Sequence, residues 1–281
     1  MQLDYKKLRD KYLNLFGDEN KCDFVLTDVL FAFNEIYPLI NSKKVNKILE
    51  VGCGTGILLK ELSDLFPDKK FVGIDPHESG FHNYENLSKK MNINSKNIII
   101  NHYNLDKINL KDKFDLIFSF NVFEHIKDQN KYLIDTQNIL SDYGKNLVFC
   151  PNYDFPYEPH FFIPIILNKK ITFVIFKKRI NQHEIQTGEK GLWEGLNLNG
   201  KKKIEKFLKQ NDFLFKYDET IKDRFFDRIE NDPSKYFRKR QGFVSKLALI
   251  GKKFYLDKII FNFLKVPFPY LKLIIYKEIK Q

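Results

Sequence analysis

Apolar residues follow two alternating patterns along the chain. Short, nearly continuous apolar runs predict buried strands over residues 45–51, 71–74, 97–103, 114–120 and 146–150. Between these runs, apolar positions three or four residues apart predict helices over residues 57–66, 80–91 and 129–140. Buried strands that alternate with helices are typical of α/β proteins, in which helices cover both faces of a parallel sheet.

The pattern changes on either side of this alternating region. Residues 3–40 predict two helices. Further strands are expected over 213–217 and 270–276, with a helical stretch over 223–266 between them. Residues 152–199 are rich in aromatic side chains and follow neither period, so we expect an irregular segment there.

The first predicted strand ends in a glycine-rich turn, Glu50-Val51-Gly52-Cys53-Gly54-Thr55-Gly56. A strand, a glycine-rich turn and a helix N-terminus form a typical nucleotide-cofactor site, because glycine lets a ligand approach the backbone closely. A dinucleotide-binding turn is not expected, since Ile57 stands where its third glycine belongs. The Gly-Lys-Ser/Thr of a phosphate loop is also missing from this stretch.

The residues that end each predicted strand are candidates for a binding site, because ligands of such sheets lie beyond the carboxyl ends of the strands. Asp75 ends the second strand, 19 residues after Gly56. A carboxylate there can accept hydrogen bonds from both hydroxyls of a ribose. The alternative is an aspartate that caps the turn before Pro76.

Three motifs follow one another on the ends of three strands: the turn that begins at Glu50, then Gly73-Ile74-Asp75, then Phe114-Asp115-Leu116-Ile117-Phe118-Ser119 with Val122-Phe123-Glu124-His125-Ile126. Together they resemble the class I S-adenosylmethionine-dependent methyltransferases. The Glu-His-Ile segment is similar to the small-molecule branch that includes ubiquinone-biosynthesis O-methyltransferases. The resemblance covers residues 45–152 well, and 200–221 and 268–277 in outline. It implies S-adenosyl-L-methionine as cofactor and a Rossmann-like, doubly wound α/β fold, whose seven-stranded, mostly parallel sheet contains a C-terminal antiparallel strand.

The resemblance also implies an organisation of the chain. We expect a single methyltransferase domain over 1–281, because no repeat or low-complexity linker divides it. Its expected parts are an N-terminal helical cap (1–44), a cofactor-binding core (45–151), an insertion on the substrate side (152–199) and a sheet-completing region with a basic amphipathic helical insertion (200–281).

The cofactor-binding residues are expected at the strand ends. Backbone N–H groups of the glycine turn are expected to meet the methionine end of the cofactor, and Glu50 to order the loop or bind the ammonium group. Asn104 stands where the family usually has an aspartate that meets the adenine amino group. Asp115 lies at the opposite edge of the sheet, where we expect a structural role. The cofactor-binding set is Glu50, Gly52, Cys53, Gly54, Gly56, Asp75, Pro76, Asn104, Asn121 and Val122.

Methyl transfer from a sulfonium is an in-line displacement, so alignment of the acceptor and exclusion of water supply much of the catalysis. A general base is needed only where the acceptor must lose a proton. His125 and His160 are the candidate bases; the alternatives are a histidine packed at a helix start and one packed in a loop. A proline-rich loop presents Tyr157, Glu158 and His160, for which we expect substrate contacts. The other histidines show no ligand spacing, so no metal is predicted.

The formal net charge of +11 suggests nucleic acid or an anionic membrane as partner. The joint excess of Lys, Asn, Ile, Phe and Tyr is also what an AT-rich coding sequence imposes, so total charge alone assigns no partner. Nucleic acid is not expected, because base-modifying members of the family usually carry an Asn/Asp-Pro-Pro-aromatic motif where this chain has Asn121-Val122-Phe123-Glu124. Unpaired cysteines, a charged N-terminal stretch and the lack of a long apolar run predict a cytoplasmic protein.

Two basic apolar segments, 161–180 and 243–266, favour peripheral membrane contact as an alternative. Core-facing helices with a solvated lysine face explain the same pattern. The main hypothesis is methyl transfer to a small molecule or cell-envelope precursor at a hydroxyl. The others are a membrane-peripheral methyltransferase acting on a lipid-linked or surface-polysaccharide intermediate, and a non-catalytic cofactor-binding scaffold. The sequence names neither the acceptor nor the oligomeric state.

Overall fold

Nine strands occur within the residues that the computed structural model describes, 3–78, 82–91, 95–240, 249–254, 256 and 259–277. They are β1 (Lys47–Val51), β2 (Lys70–Ile74), β3 (Ile98–Asn101), β4 (Phe114–Phe120), β5 (Leu140–Pro151), β6 (Tyr157–Glu158), β7 (Ile163–Pro164), β8 (Leu214–Tyr217) and β9 (Tyr270–Tyr276). Seven of them form one sheet in the order β3-β2-β1-β4-β5-β9-β8, and β6 and β7 pair as a small hairpin.

The order and direction of the strands confirm the predicted Rossmann-like fold. β1 to β5 run parallel, with β1 between β2 and β4. β9 runs antiparallel to both β5 and β8, as predicted for the C-terminal strand. In this arrangement Glu50 pairs with Gly73 on one side and Phe118 on the other, so the ends of β1, β2 and β4 open onto the same edge of the sheet.

Helices precede, connect and follow the strands in the described residues. They are α1 (Tyr5–Phe16), α2 (Glu19–Ile40), α3 (Ile57–Leu65), α4 (His82–Lys90), α5 (Gln129–Ile139), α6 (Lys169–Thr187), α7 (Leu192–Gly195), α8 (Lys201–Gln210), α9 (Ile221–Asn231) and α10 (Lys235–Arg240). Short 3-10 turns cover Leu105–Lys107 and Phe123–His125, and a π-helical turn covers Ile259–Phe263. The two predicted N-terminal helices are α1 and α2, which begin where Asp4 and Asp18 accept hydrogen bonds from backbone N–H groups.

Two apolar clusters hold these helices on the two faces of the sheet. On one face Phe33 of α2 and Leu59 of α3 pack in a cluster with Ile48. On the other face Leu133 of α5 packs in a cluster with Leu49. Neighbouring strand residues point to opposite faces, which is why Ile48 and Leu49 join different clusters. The covered sheet is a rigid platform for the residues at its strand ends.

The segment 152–199 is more regular than predicted. It contains the β6–β7 hairpin and the 19-residue helix α6, which begins after the capping residue Asn168. The helical period is hidden in the sequence because α6 carries apolar residues on two faces. Ile180 is buried, whereas the side chain of Val174 is 76% exposed. The segment also builds a small apolar cluster of its own around Trp193.

Two other boundaries differ from the prediction. β5 begins at Leu140, earlier than the expected start at residue 146. The predicted helical stretch 223–266 is broken into α9, α10 and later short pieces. Phe243 and Leu247 of the predicted amphipathic helix lie outside the described residues, as do Gly80 and Phe81 of the helix predicted over 80–91. Of the helices that the structure describes, none combines the length and the apolar character needed to cross a bilayer.

Candidate functional site

A cavity of about 870 Å³ opens at the carboxyl ends of the parallel strands. The glycine turn after β1 and the residues after β2, β3 and β4 line one side of it. The other side consists of the β6–β7 hairpin and residues of α2, α9 and α10. A smaller cavity of about 130 Å³ shares Gly52 and Gly54 with the large one. Both lie where the strand order of an α/β sheet places its ligand.

The predicted cofactor residues divide between these two cavities. The large cavity is lined by Gly52, Gly54, Asp75, Pro76, Asn104, Asn121 and Val122. Glu50 and Cys53 line the small cavity. Gly56 lines neither cavity. A Cβ atom at Gly56 would stand 2.3 Å from Ile100 Cδ1, so a glycine here lets the turn pack against β3. Its role toward the cofactor stays a prediction.

The backbone N–H groups of the glycine turn are bonded within the protein. Gly52 and Cys53 donate to the Ile74 carbonyl at 2.8 and 3.2 Å. Gly54 donates to Asp75 Oδ2 at 2.8 Å, and Gly56 donates to the Cys53 carbonyl at 2.8 Å. The bonds from Gly52, Cys53 and Gly54 tie the turn to the end of β2, and the bond from Gly56 closes the turn on itself. That N–H groups of the turn meet the cofactor stays a prediction.

Gly54 provides the close approach that the sequence predicts. Its φ of 53° lies in the left-handed region, which a residue with a Cβ atom adopts only under strain. No heavy atom lies within 4 Å of the position that its Cβ would occupy, and Gly54 lines both cavities. A side chain at this position would therefore take space from a ligand.

Glu50 is a buried carboxylate, one of whose oxygens makes no hydrogen bond among the described residues. Its side chain is 5% exposed, and Oε2 has no hydrogen-bond partner among the described residues. Burial, with a contribution from the charge of Asp75, raises the pKa of Glu50 to about 8. A cation in the adjoining cavity would satisfy this carboxylate, which is the role predicted for it toward an ammonium group.

Asp75 orders the turn before Pro76, and its predicted contact with the ribose stays open. Its Oδ2 accepts from the Gly54 N–H, and its Oδ1 accepts from the His77 N–H at 2.7 Å, so it does order the turn before Pro76. Each carboxylate oxygen can accept a second hydrogen bond, and Asp75 lines the large cavity. It therefore remains available for two ribose hydroxyls. Asn104 is exposed and lines the same cavity.

The end of β4 is held by a residue that the sequence did not indicate. Asn121 has a φ of 51°, and its Oδ1 accepts a hydrogen bond from the Tyr270 hydroxyl at 2.9 Å. Tyr270 is the first residue of β9, 149 positions away, and also lines the cavity. The adjacent Val122 lies against Gly52, where a Cβ would approach its Cγ2 to 2.3 Å. The side chains after β4 are thus fixed beside the glycine turn.

The candidate bases His125 and His160 come together although 35 residues separate them. Their ring centroids are 5.2 Å apart in an edge-to-face arrangement, and both line the large cavity. Glu124 lies beside them, with Oε1 4.0 Å from His125 Nε2. Glu124 is 1% exposed, and neither of its carboxylate oxygens has a hydrogen-bond partner among the described residues. One ligand atom from each of Glu124, His125 and His160 lies within 4.8 Å of the other two.

Glu158 does not have the position predicted for it. Side chains of β6 alternate between two directions, so Tyr157 lines the cavity while Glu158 is fully buried behind it. Glu158 Oε1 accepts from the backbone N–H of His160 and lies 2.6 Å from His160 Nδ1. Its Oε2 accepts from the Tyr153 hydroxyl at 3.2 Å. Glu158 therefore orients His160, and substrate contact stays a prediction for Tyr157 and His160.

Burial and charge shift the pKa of each group in this cluster. Burial raises the pKa of Glu124 to about 7. Burial, together with the charge of His160, lowers the pKa of His125 well below its ordinary value. Burial also acts to lower the pKa of His160, but the charge and hydrogen bond of Glu158 outweigh it and raise that pKa to about 9. The cluster is thus electrostatically coupled.

The wall formed by α2 and α9 was not predicted. Arg228 of α9 donates to Asp28 of α2, 200 positions away, and both residues line the cavity. The Arg228 guanidinium lies 4.7 and 4.5 Å from the ring centroids of Phe31 and Phe237. Such stacking and pairing fix its orientation. No local motif marks this pair, because its members come from opposite ends of the chain.

The lining of the large cavity is acidic although the chain is basic. Eight carboxylates and three lysine or arginine side chains line it, against a net charge of +11 for the whole chain. The excess of carboxylates favours a cationic ligand. S-adenosylmethionine, with a sulfonium and an ammonium, fits this lining. The unmatched Glu50 carboxylate, the open space at Gly54 and the lone pairs of Asp75 match its charged and hydroxyl groups.

Residues 49–145 match the family model described as Methyltransferase domain. Among curated proteins, the uncharacterized protein Rv1509 of Mycobacterium tuberculosis (strain ATCC 25618 / H37Rv) is 30% identical over 161 residues, 57% of this chain and 54% of that protein. Malonyl-acyl-carrier-protein O-methyltransferase 1 of Ilyobacter polytropus is 36% identical over 109 residues, 38% of each chain. The chain thus spans about half the length of the first relative and less of the second.

A solved structure shares the fold. Phosphoethanolamine N-methyltransferase 2 of Haemonchus contortus, in complex with phosphomonomethylethanolamine and S-adenosylhomocysteine, gives a TM-score of 0.53 at 16% identity. The likeness covers 98% of this chain and 60% of that one. At this identity the likeness concerns the arrangement of strands and helices.

Proposed function

We propose that this chain, whose residues 49–145 match a methyltransferase-domain model, is a class I S-adenosylmethionine-dependent methyltransferase that transfers a methyl group to a hydroxyl of a small molecule or cell-envelope precursor. One observation carries the proposal. The buried, unmatched Glu50 carboxylate and the cavity-lining Asp75 lie at the two adjacent strand ends beside Gly54, where the ammonium and the ribose of the cofactor would be held.

The protein residues would divide the work of binding as follows. Glu50 would face the ammonium group, Asp75 the ribose hydroxyls and Asn104 the adenine. When bound, S-adenosylmethionine supplies a methyl group on a sulfonium, which an acceptor oxygen takes as the carbon–sulfur bond breaks and a carbon–oxygen bond forms. The apolar walls of the cavity and its residues from α2 and α9 would exclude water and orient the acceptor.

A hydroxyl acceptor must also lose a proton. His125 and His160 remain the candidate groups for receiving it, because both line the cavity on the side of the β6–β7 hairpin. The hydroxyl as acceptor is also supported by the relative named as an O-methyltransferase, which is 36% identical over 109 residues. Tyr157 lines the same part of the cavity and is the expected contact to the rest of the acceptor.

Isothermal titration with S-adenosylmethionine and S-adenosylhomocysteine tests the cofactor site. We expect one site per chain and about tenfold or more weaker binding in Asp75→Ala, because a hydrogen bond to a charged group contributes about 1.5–3 kcal/mol. The matched control is Asp68→Ala, an exposed aspartate before β2, which should bind like the wild type. Failure of both compounds to bind the wild type at high micromolar concentration would contradict the proposal. Equal affinities of Asp75→Ala and the wild type would contradict it as well.

Transfer itself is tested by incubating fractionated cell extracts with the protein and isotopically methyl-labelled S-adenosylmethionine. We expect one fraction to gain the label in a product whose mass spectrum places the methyl group on oxygen. Cofactor binding with no labelled product in any fraction would favour the non-catalytic scaffold instead.

A membrane-peripheral methyltransferase is a second candidate, which rests on the outer face of α6. Ile171, Val174 and Ile185 share one side of this helix and are 37%, 76% and 81% exposed. Lys178 lies on the same side, as expected of a helix at an anionic membrane interface. Such a protein would act on a lipid-linked or surface-polysaccharide intermediate.

Flotation with anionic vesicles tests this candidate. The wild type should float with vesicles rich in anionic lipid, and the double variant Val174→Glu/Ile185→Glu should not, because two charges would enter the apolar boundary. The control is Lys216→Glu, at an exposed position of β8. Absence of the wild type from the vesicle fraction would count against membrane contact without touching the cofactor proposal.

A further inference from the structure

We propose that Glu124, His125 and His160 form a binding site for a divalent transition-metal ion in the wall of the large cavity. The proposal rests on the proposed function in one respect, since the ion would face the acceptor. The sequence spacing predicts no metal, because His160 reaches the other two only through the β6–β7 hairpin.

The distances suit one ion. Three donors that bind one tetrahedral ion at about 2.1 Å lie about 3.4 Å from each other. The ligand atoms of Glu124, His125 and His160 lie within 4.8 Å of one another, so side-chain shifts of about 1 Å would bring them to one centre. Glu124 and His125 belong to the same 3-10 turn after β4, which fixes two of the three donors on a short, rigid segment.

The carboxylate of Glu124 is an independent observation that points to a cation ligand. It is 1% exposed and faces the cavity, yet neither oxygen has a hydrogen-bond partner among the described residues. Burial of a carboxylate without a partner costs several kcal/mol. A bound cation removes this cost. No lysine or arginine side chain in the described part of the chain forms a salt bridge with Glu124, so no such side chain neutralises this carboxylate.

Glu158 supplies the support that a histidine ligand needs. Histidines that bind metals usually present their second ring nitrogen to a carboxylate or carbonyl, which fixes the ring and its tautomer. His160 Nδ1 lies 2.6 Å from the fully buried Glu158, so Nε2 is the nitrogen left to bind an ion. Tyr153 in turn donates to Glu158. Through these contacts the buried Glu158 fixes the orientation of the His160 ring.

Two imidazoles and one carboxylate indicate the kind of ion. Zn²⁺, Mn²⁺ and Fe²⁺ accept this donor set, whereas Mg²⁺ and Ca²⁺ prefer oxygen donors throughout. Three protein ligands leave coordination positions open. They would face the cavity and accept an oxygen of the acceptor. Its hydroxyl proton would then pass to solvent, because His125 and His160, as ligands of the ion, would no longer act as the bases named above. The acceptor class is therefore a molecule that offers a hydroxyl as metal ligand.

The test uses the untagged full chain after treatment with a chelator and dialysis. Zn²⁺ and Mn²⁺ are titrated calorimetrically, and the bound ion is counted by elemental analysis. We expect one ion per chain in the wild type, loss of binding in Glu124→Gln and His160→Ala, and about 10- to 100-fold weaker binding in Glu158→Gln. His102→Ala is the matched control. It breaks the contact between His77 and His102, the other histidine pair, and should bind the ion like the wild type.

S-adenosylhomocysteine binding is measured on the same samples. A wild type that binds S-adenosylhomocysteine but no stoichiometric ion overturns the metal site and leaves the proposed function intact. Undiminished ion binding by both Glu124→Gln and His160→Ala also overturns it. Glutamine replaces a side chain that makes no hydrogen bond, so Glu124→Gln should fold, and its unchanged circular dichroism and S-adenosylhomocysteine affinity would show that only the ion is lost.

Discussion

Replacement of Glu50 by glutamine tests the electrostatics of the cofactor side of the cavity. Glu50 is 5% exposed, and burial with the charge of Asp75 raises its pKa from 4.5 to about 8. Glutamine keeps the shape of the side chain but cannot ionise. We therefore expect Glu50→Gln to make the cofactor-free protein more stable at high pH and to weaken cofactor binding, because the carboxylate is retained for a cationic ligand at the expense of stability.

The magnitude follows from the two pKa values. A carboxyl whose pKa rises from 4.5 to about 8 on folding loses about 5 kcal/mol of stability once it is ionised. This stability is fully present below about pH 4.5 and is lost as the pH rises through about 8. At pH 7 the loss amounts to about 3 kcal/mol. The difference in unfolding free energy between Glu50→Gln and the wild type should therefore grow by about 4 kcal/mol from about pH 4.5 to about pH 9.

Denaturant unfolding across this pH range measures the difference, with Glu19→Gln as a control at a side chain that is 72% exposed. Calorimetry in two buffers of different ionisation enthalpy adds a second readout. An ammonium group beside Glu50 favours its ionised form, so S-adenosylhomocysteine should release most of one proton from this group at pH 7 in the wild type, and Glu50→Gln should lack this release. A stability difference that stays within about 1 kcal/mol from low to high pH would refute the reasoning.

Three further substitutions test single contacts. Gly54→Val should abolish measurable S-adenosylhomocysteine binding by calorimetry, because a branched side chain at a φ of 53° would enter both cavities; retained binding would contradict the placement of the cofactor. Lys272→Met should lower the free energy of unfolding by about 3 kcal/mol, because Lys272 pairs at 2.8 Å with Glu35, which is 3% exposed. A loss below about 1 kcal/mol would mean that Arg224 alone satisfies Glu35. Tyr270→Phe should cost about 1 kcal/mol in denaturant unfolding, since it removes the hydroxyl that donates to Asn121; an unchanged midpoint would speak against that hydrogen bond.

Local patterns in the sequence predicted most of the sheet. The strand over residues 114–120 has the bounds of β4, and the glycine turn, Asp75 and Asn121 lie at the strand ends where they were expected. The physical reason is that apolar periodicity records which faces are buried. Parallel strands then bring their carboxyl ends to one edge whatever the rest of the chain does. The outer apolar face of α6 shows the limit of this reasoning, since a helix with two apolar faces has no clear period.

The sequence by itself determined the fold class and the edge of the sheet where the candidate site lies. Only the tertiary structure decided how the site is completed. It paired three N–H groups of the glycine turn with Ile74 and Asp75, turned Glu158 away from the cavity, and brought His160 to Glu124 and His125. These contacts join segments that are distant in the chain, and their geometry depends on packing and on the alternating direction of strand side chains. The local spacing of residues in the sequence therefore does not predict these long-range contacts.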